Sequence, residues 1–485
     1  MNFISKKVDF ALPILGAVLL VIALLLPNAI LAYVFTLILA LAAFFLPKQG
    51  ILFLLMYYPL RSFLITVNPA LKLVGDVIIV FVFLRVLWNS RKNIASLFKF
   101  AVYEWAFLGF LLVGALSALL NDIGMNAIIF QLRAFAITFL LLYIVKRLEI
   151  TKRDMLNFMY MTVAVVVLVL IQGLVEKVSV RSQWMPELWV NRQLSPNNSS
   201  RIYGLLNNPN VLAVYLTISA LLTYYLRKMS KNTAVRIFLT VVLVVTAGVW
   251  ILTYSRGTWI AFAIGLGVYF LLTFNWKFIL KIAAVIAIGF VLVALPATYS
   301  AQWVKSNTKV GEIERTGPAE DEGGFAVEKT RIKETFNANT FEKSLTTGRL
   351  YVVYKGFDVF KDYPLIGSGF ATFGDSSAKS FGSPIYKDYD IEVDIYSDNQ
   401  YIQIIAQTGI AGVLLFAVFL LGILVLFWKH RHDNPLAIPL LSAMIGIYWC
   451  GFIYNIWEDK TFTMYFYIIL AGFLACLKPL ENQEK

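Results

Sequence analysis

Apolar stretches about as long as a bilayer is thick recur along nearly the whole chain. A spanning helix needs roughly 20 mostly apolar residues, because hydrocarbon offers its backbone no partner. Such stretches lie near 10–27, 28–46, 51–67, 73–88, 103–120, 126–145 and 155–174, and again near 209–226, 236–254, 257–273, 277–297, 400–428, 435–456 and 461–477. The third and fourth are short. The pattern predicts an all-α, polytopic integral membrane protein with about 12–14 transmembrane helices. Composition excludes an ordinary soluble domain: only 15% of the 485 residues are charged and 59% are hydrophobic, against about 25% charged in soluble chains. The first stretch runs through Pro27-Asn28 straight into the second with no small-residue cleavage site, which reads as a retained hairpin and not a removed signal. Cys450 and Cys476 both fall in apolar stretches and define neither a disulfide framework nor a metal-ligand spacing.

The net charge of +13 matters through where the cations fall. Lys6-Lys7, Arg91-Lys92, Lys146-Arg147 with Lys152-Arg153, Arg227-Lys228 with Lys231, and Lys429-His430-Arg431-His432 occupy alternate connections, while those between, such as 121–126, carry few cations. Cation-rich connections face the cytoplasm. Both termini are therefore expected inside, and the long connections at about 175–208 and 298–399 outside. Within the larger one, the polar run 305–347, with Glu320-Asp321-Glu322-Gly323-Gly324, is expected to be mobile. From Arg349 onward, Leu350, Val353, Tyr354, Phe357 and Phe360 share one helical face. This predicts an amphipathic helix on the outer membrane surface, stopped by Pro364 and the turn Gly367-Ser368-Gly369.

Few side chains are available for chemistry outside. Both histidines lie in a predicted cytoplasmic connection, so proton transfer on the outer side falls to carboxylates. Arg201, Arg256 and Arg349 stand where the chain enters the membrane. Guanidinium groups stay charged and grip phosphate oxygens two at a time, so the three could converge on a lipid diphosphate; alternatively each anchors a helix end at the interface. Arg133, two turns inside its span, suits pairing with a neighbouring helix. The run Asp388, Asp390, Glu392, Asp394, Asp398 lacks the glycine and terminal glutamate of a calcium loop. Asp398 differs in abutting an apolar span, where an Asp or Asn can also cap the helix. No metal or cofactor is expected, and no phosphate-binding glycine loop points to a nucleotide. The aromatic residues are scattered through the spans, which argues against nucleic acid as a partner. No repeat of 20 to 50 residues and no inverted pair of broken helices is visible, which disfavours a transporter.

Seven short motifs occur in order: Arg201-Ile-Tyr-Gly204, Asn208-Pro-Asn210, Thr253-Tyr-Ser255-Arg256-Gly257, Thr347-Gly348-Arg349, Pro364-Leu-Ile-Gly367-Ser-Gly369, Asp398-Asn399-Gln-Tyr401 and Gly409-Ile-Ala-Gly412. Together they resemble the O-antigen ligase and O-antigen polymerase superfamily over residues 200–415. The resemblance implies three parts: N-terminal transmembrane helices and first outer loop (1–200), a ligase-like core (201–415) and C-terminal transmembrane helices (416–485). It implies a metal-independent, inverting glycosyltransferase of the plasma membrane, taking glycan from an undecaprenyl-diphosphate carrier. Arg256 and Arg349 would engage the diphosphate, with Arg201 and Asn399 completing the binding site. A histidine usually precedes the asparagine of the sixth motif; here Asp398 stands there and would be the base. The Asp-Asn variant resembles proteins of Gram-positive teichuronic acid synthesis, which favours a polymerase. A ligase using another acceptor is the alternative, and a transporter of polysaccharide or lipid-linked sugar is the competing class. The implied partners are the lipid-linked glycan, the bilayer, a flippase and other polysaccharide-synthesis proteins.

Overall fold

Each apolar stretch folds into a helix in the structure, a computed structural model describing residues 9–191, 200–308, 348–392 and 394–477. The first helices are α1 (Ala11–Leu25), α2 (Ala29–Phe45), α3 (Pro47–Val67), α4 (Val74–Asn89), α5 (Val102–Leu120), α6 (Met125–Arg147) and α7 (Lys152–Val178). They are followed by α8 (Pro209–Met229), α9 (Thr233–Leu252), α10 (Arg256–Thr273) and α11 (Trp276–Asn307). Two helices, α12 (Arg349–Asp362) and the short α13 (Ser376–Phe381), lie in the long connection, and α14 (Gln400–Lys429), α15 (Ala437–Cys450) and α16 (Lys460–Cys476) complete the order. No strand occurs among the described residues. Among the described residues, nine helices are long and apolar enough to cross a membrane: α3, α5 to α11 and α14. The expected all-α polytopic membrane architecture is therefore the observed one. The 305–347 run lies almost wholly outside the described residues.

Short polar residues start many of these helices. The side chains of Asn28, Thr151, Asn208, Asn232, Asn275 and Asn399 each accept from backbone amides of the first turn, groups that hydrocarbon would leave unpaired. Packing is pairwise: α14 against α5, α10 against α15, α16 against α6, and α8 against α9. The centre is aromatic, with Phe107 4.6 Å from Phe139 and 4.7 Å from Phe419 between ring centroids, and Trp457 5.4 Å from Phe419.

One expectation is corrected and one is extended. The eleventh span runs on to Asn307 instead of ending near 297, because a π-helical turn at Phe290–Ala294 absorbs the N–H missing at Pro296 and the helix continues. On α12, the stripe turned into the protein is Val352, Gly356 and Val359. Of the predicted apolar face, Tyr354 and Phe357 are exposed. Both stripes are apolar, and the inner one is fixed by the close approach of α14: a Cβ on Gly356 would lie 2.4 Å from Ile402 Cγ1.

The segment after α12 does not stay on the surface. Residues 367–375 are buried between helices, and Phe370 stacks on Phe135 at 5.8 Å. Irregular backbone survives such burial only if its polar groups are paired. The pairing comes from a break in α14, where Gly409 adopts φ +58° and frees the preceding carbonyls. Ser368 N–H donates to Ala406 O and Gly369 N–H to Gln407 O, each at 2.9 Å, while Ser117 Oγ donates to Gly367 O at 2.6 Å. The fifth and seventh sequence motifs are thus two halves of one joint.

Candidate functional site

The site assembles at one end of the bundle, where α5, α7 and α9 end and α6, α8, α10, α14 and α16 begin. His430 follows the last residue of α14. Thirty residues of helix rise about 45 Å, so this histidine lies at the opposite end from the α14 N-terminus.

Segment 200–206 forms the first wall. Glu176, buried in α7, accepts from the amides of Tyr203 (2.9 Å) and Gly204 (2.6 Å). Arg181 donates to the Arg201 carbonyl at 2.7 Å and stands over the Tyr203 ring. Arg201 is half-buried. It donates from Nε to Thr253 O at 2.9 Å and from Nη2 to Asn210 Oδ1 at 2.8 Å, and the same Asn210 oxygen accepts from Ser255 Oγ at 2.8 Å. Arg201 is thereby tied to the turn that ends in Arg256, the first residue of α10. In that turn Tyr254 takes φ +47°, a conformation costly for a bulky side chain and held here by its surroundings.

The second wall is the α14 N-terminus. Asn399, expected to bind substrate, is the helix cap: its Oδ1 accepts from Tyr401 N (3.1 Å) and Ile402 N (3.2 Å). Asp398 just before it is left out of the capping, half-buried and at φ +45°. Burial raises its carboxyl above the usual aspartate range, and the charges of Arg349, Lys379 and Arg201, in that order, pull it back. The charges of three separate segments thus act on this one carboxyl. Arg349 opens α12 as expected, and is exposed.

Lys379 escaped the sequence reading, since a lone lysine in a polar stretch carries no pattern. It lies over the Tyr396 ring, 5.7 Å from its centroid. Behind Tyr396 are three acids whose charges act on it together with that of Asp398, namely Glu458, Asp459 and Asp375. Asp375 accepts from Ala371 N at 2.8 Å and also from Gln407; Glu458 accepts from Gln131 Nε2 at 2.8 Å and from Gln403 and Ser376 N. Burial, and the Asp375 carboxyl nearby, push Glu458 up. Arg133 pairs with Asp76 on α4, as its depth predicts. Of the acidic run, Asp388, Asp390 and Asp394 lie in the connection before Asp398, and no group of three His, Cys, Asp or Glu side chains able to hold a metal ion occurs among the described residues.

Fold and site together define a multi-pass membrane protein with a cationic cluster around one carboxylate at one end of its helices. Residues 239–417 match the family model described as O-Antigen ligase, a similarity that supports a membrane protein that processes glycans. The matched stretch holds Arg256, Arg349, Asp398 and Asn399; Arg201 and Glu458 lie outside it. No curated protein matches the chain.

Proposed function

We propose that the protein is a membrane glycosyltransferase that polymerises undecaprenyl-diphosphate-linked oligosaccharide units on the outer face of the plasma membrane. The observation that carries the reading is Asp398: a half-buried carboxylate outside the helix cap, on which the charges of three cations from three separate segments act. The acceptor hydroxyl oxygen attacks the anomeric carbon and gives its proton to Asp398. The bond from that carbon to the diphosphate oxygen breaks, the electron pair leaves with the diphosphate, and the centre inverts. Arg349, Arg256 and Arg201 neutralise the departing charge where little water competes, and no step asks for a metal. Lipid access supports the same reading. Only 17% of the apolar window of α10 and 11% of that of α11 is buried within the protein, so the wall that begins at Arg256 faces lipid along its length. The exposed Tyr354 and Phe357 of α12 suit contact with the same bilayer surface.

The cation-rich connections support a topology with both termini in the cytoplasm and this end of the bundle outside. Polymerisation, with a teichuronic-type acidic product, is preferred to ligation because Asp398-Asn399 stands where ligases usually carry histidine-asparagine. The deciding experiment is polymer length on a gel, made in reconstituted membranes from purified lipid-linked repeat unit. A ladder that needs the unaltered protein and vanishes with Arg349→Ala supports a polymerase. Transfer of a single glycan to an added acceptor, without a ladder, makes it a ligase; donor movement across the bilayer with neither product makes it a transporter.

A further inference from the structure

A second group of cations lies beside α16, the helix that starts directly after Glu458-Asp459. Asp76, near the start of α4, is gripped on both oxygens by Lys460 Nζ at 2.9 Å, by Arg133 Nε on one of them, and by the Tyr58 hydroxyl at 3.3 Å. Its side chain is only 9% exposed, so the single carboxylate is fully engaged. A third cation, Arg61 on α3, acts electrostatically on Lys460, Tyr57, Tyr58 and Asp459. Its Nε is buried with no acceptor among the described residues. Asp459 is already occupied as the cap of α16, accepting from Phe462 N–H. Three cations thus share one committed carboxylate and a capping one. Partly buried cations in excess are costly at a membrane boundary unless an anion joins them. Arg133 is 30% exposed and Lys460 15%, so both can be reached.

We propose that Arg61, Arg133 and Lys460 form a second oxyanion seat, which holds the diphosphate of a lipid-linked acceptor. The inference rests on the polymerase reading above: when donor and acceptor both ride on the same carrier, the protein must seat two diphosphates, whereas a ligase with another acceptor needs one. The position fits. Tyr396 feels Asp398, Glu458 and Asp459 together, and Asp459 in turn feels Arg61. The second group of cations is therefore linked through Tyr396 and Asp459 to the surroundings of Asp398, and the acceptor's sugar would reach from one to the other.

The test titrates inorganic pyrophosphate into the full-length protein in nanodiscs by calorimetry. The unaltered protein should bind two. Arg61→Gln and Lys460→Gln should each weaken one site about tenfold, as loss of one charge-assisted hydrogen bond does, and leave the other site intact; Arg349→Ala should do the converse. Asp76→Asn should tighten the second site, because it removes the competing carboxylate; weakened binding there would mean the cations serve only to hold the helices together and overturns the inference. If that variant does not fold, Arg61→Gln decides, since Arg61 bonds no carboxylate of the cluster. Binding unchanged by Arg61→Gln and Lys460→Gln, with a site lost in Arg349→Ala, overturns the second seat and leaves the proposed function standing. A site lost in Arg61→Gln with none lost in Arg349→Ala overturns the donor seat, and the polymerase reading with it.

Discussion

Asp398→Asn isolates the proposed base from everything else at the site. The substitution keeps shape and removes charge, and φ +45° is a conformation asparagine adopts readily. Asn399 keeps the helix cap, so stability should move by no more than about 0.5 kcal/mol. A positioned general base contributes about 10²–10⁴ in rate. The upper half of that range applies because no neighbouring acid can take over: Asp375 and Glu458 are buried in their hydrogen bonds and Asp459 caps α16. The expected loss is about 10³–10⁴ in the rate of ladder formation from purified lipid-linked repeat unit, or about 4–5.5 kcal/mol in the barrier. The pH profile gives a second readout. A base must be unprotonated, so activity falls as pH drops through its pKa. Burial raises that pKa while Arg349, Lys379 and Arg201 lower it; salt screens the cations, so the acid limb should move to higher pH as ionic strength rises. Activity of the variant within about threefold of the unaltered protein would refute the base assignment, where about 10³ is expected. So would an acid limb that moves to lower pH with salt.

Arg349 is exposed at the start of α12, so Arg349→Ala should abolish the ladder while detergent melting changes by no more than about 0.5 kcal/mol. Asn399→Asp should retain activity and stability if the cap is all that Asn399 supplies, because a carboxylate caps as well as an amide, whereas Asn399→Ala should cost about 1 kcal/mol in thermal unfolding; a large activity loss in Asn399→Asp with stability kept would assign it the expected substrate role. Gly367→Ala should destabilise by about 3 kcal/mol or more and deplete folded protein, since its φ is +74° and a Cβ would lie 2.2 Å from the Gln407 carbonyl carbon. Glu458 holds its proton more tightly folded than unfolded, so stability should decline as pH rises from the ordinary glutamate value through the raised one and level off above it. Melting of Glu458→Gln across that window should lack the decline.

The membrane architecture was legible because the bilayer imposes one length and one polarity on every span. Fourteen stretches read from hydropathy each became a helix, including the short third and fourth. Legibility failed where an apolar surface has two possible partners. Leu350, Val353, Tyr354, Phe357 and Phe360 form a sound helical stripe, but periodicity says only that a face avoids water, not whether lipid or protein covers it. The inner face was decided by Gly356 and the distant Ile402, a contact no local pattern encodes.

The same limit divides the site. Arg201, Arg349 and Asp398 stand out because each lies at the edge of an element, where charge next to an apolar run is conspicuous, and in the structure the charges of both arginines act on Asp398. Asn399 stands out for the same reason and caps α14, and capping and substrate binding ask for the same side chain at the same place. Asp375, Glu458 and Gln407 carry no such signal: each is an ordinary polar residue until the 367–375 segment is driven between the helices, and the long-range bonds that bind them span 32 to 327 residues of sequence. What forces that insertion is Gly409, whose break in α14 exposes two carbonyls in a place water does not reach. Those carbonyls need amides, and Ser368 and Gly369 supply them. The helix that presents Asp398 at its mouth is therefore held, two turns further in, by the loop that carries Lys379 to the same carboxylate. Loosening that joint should displace the base and its cation together.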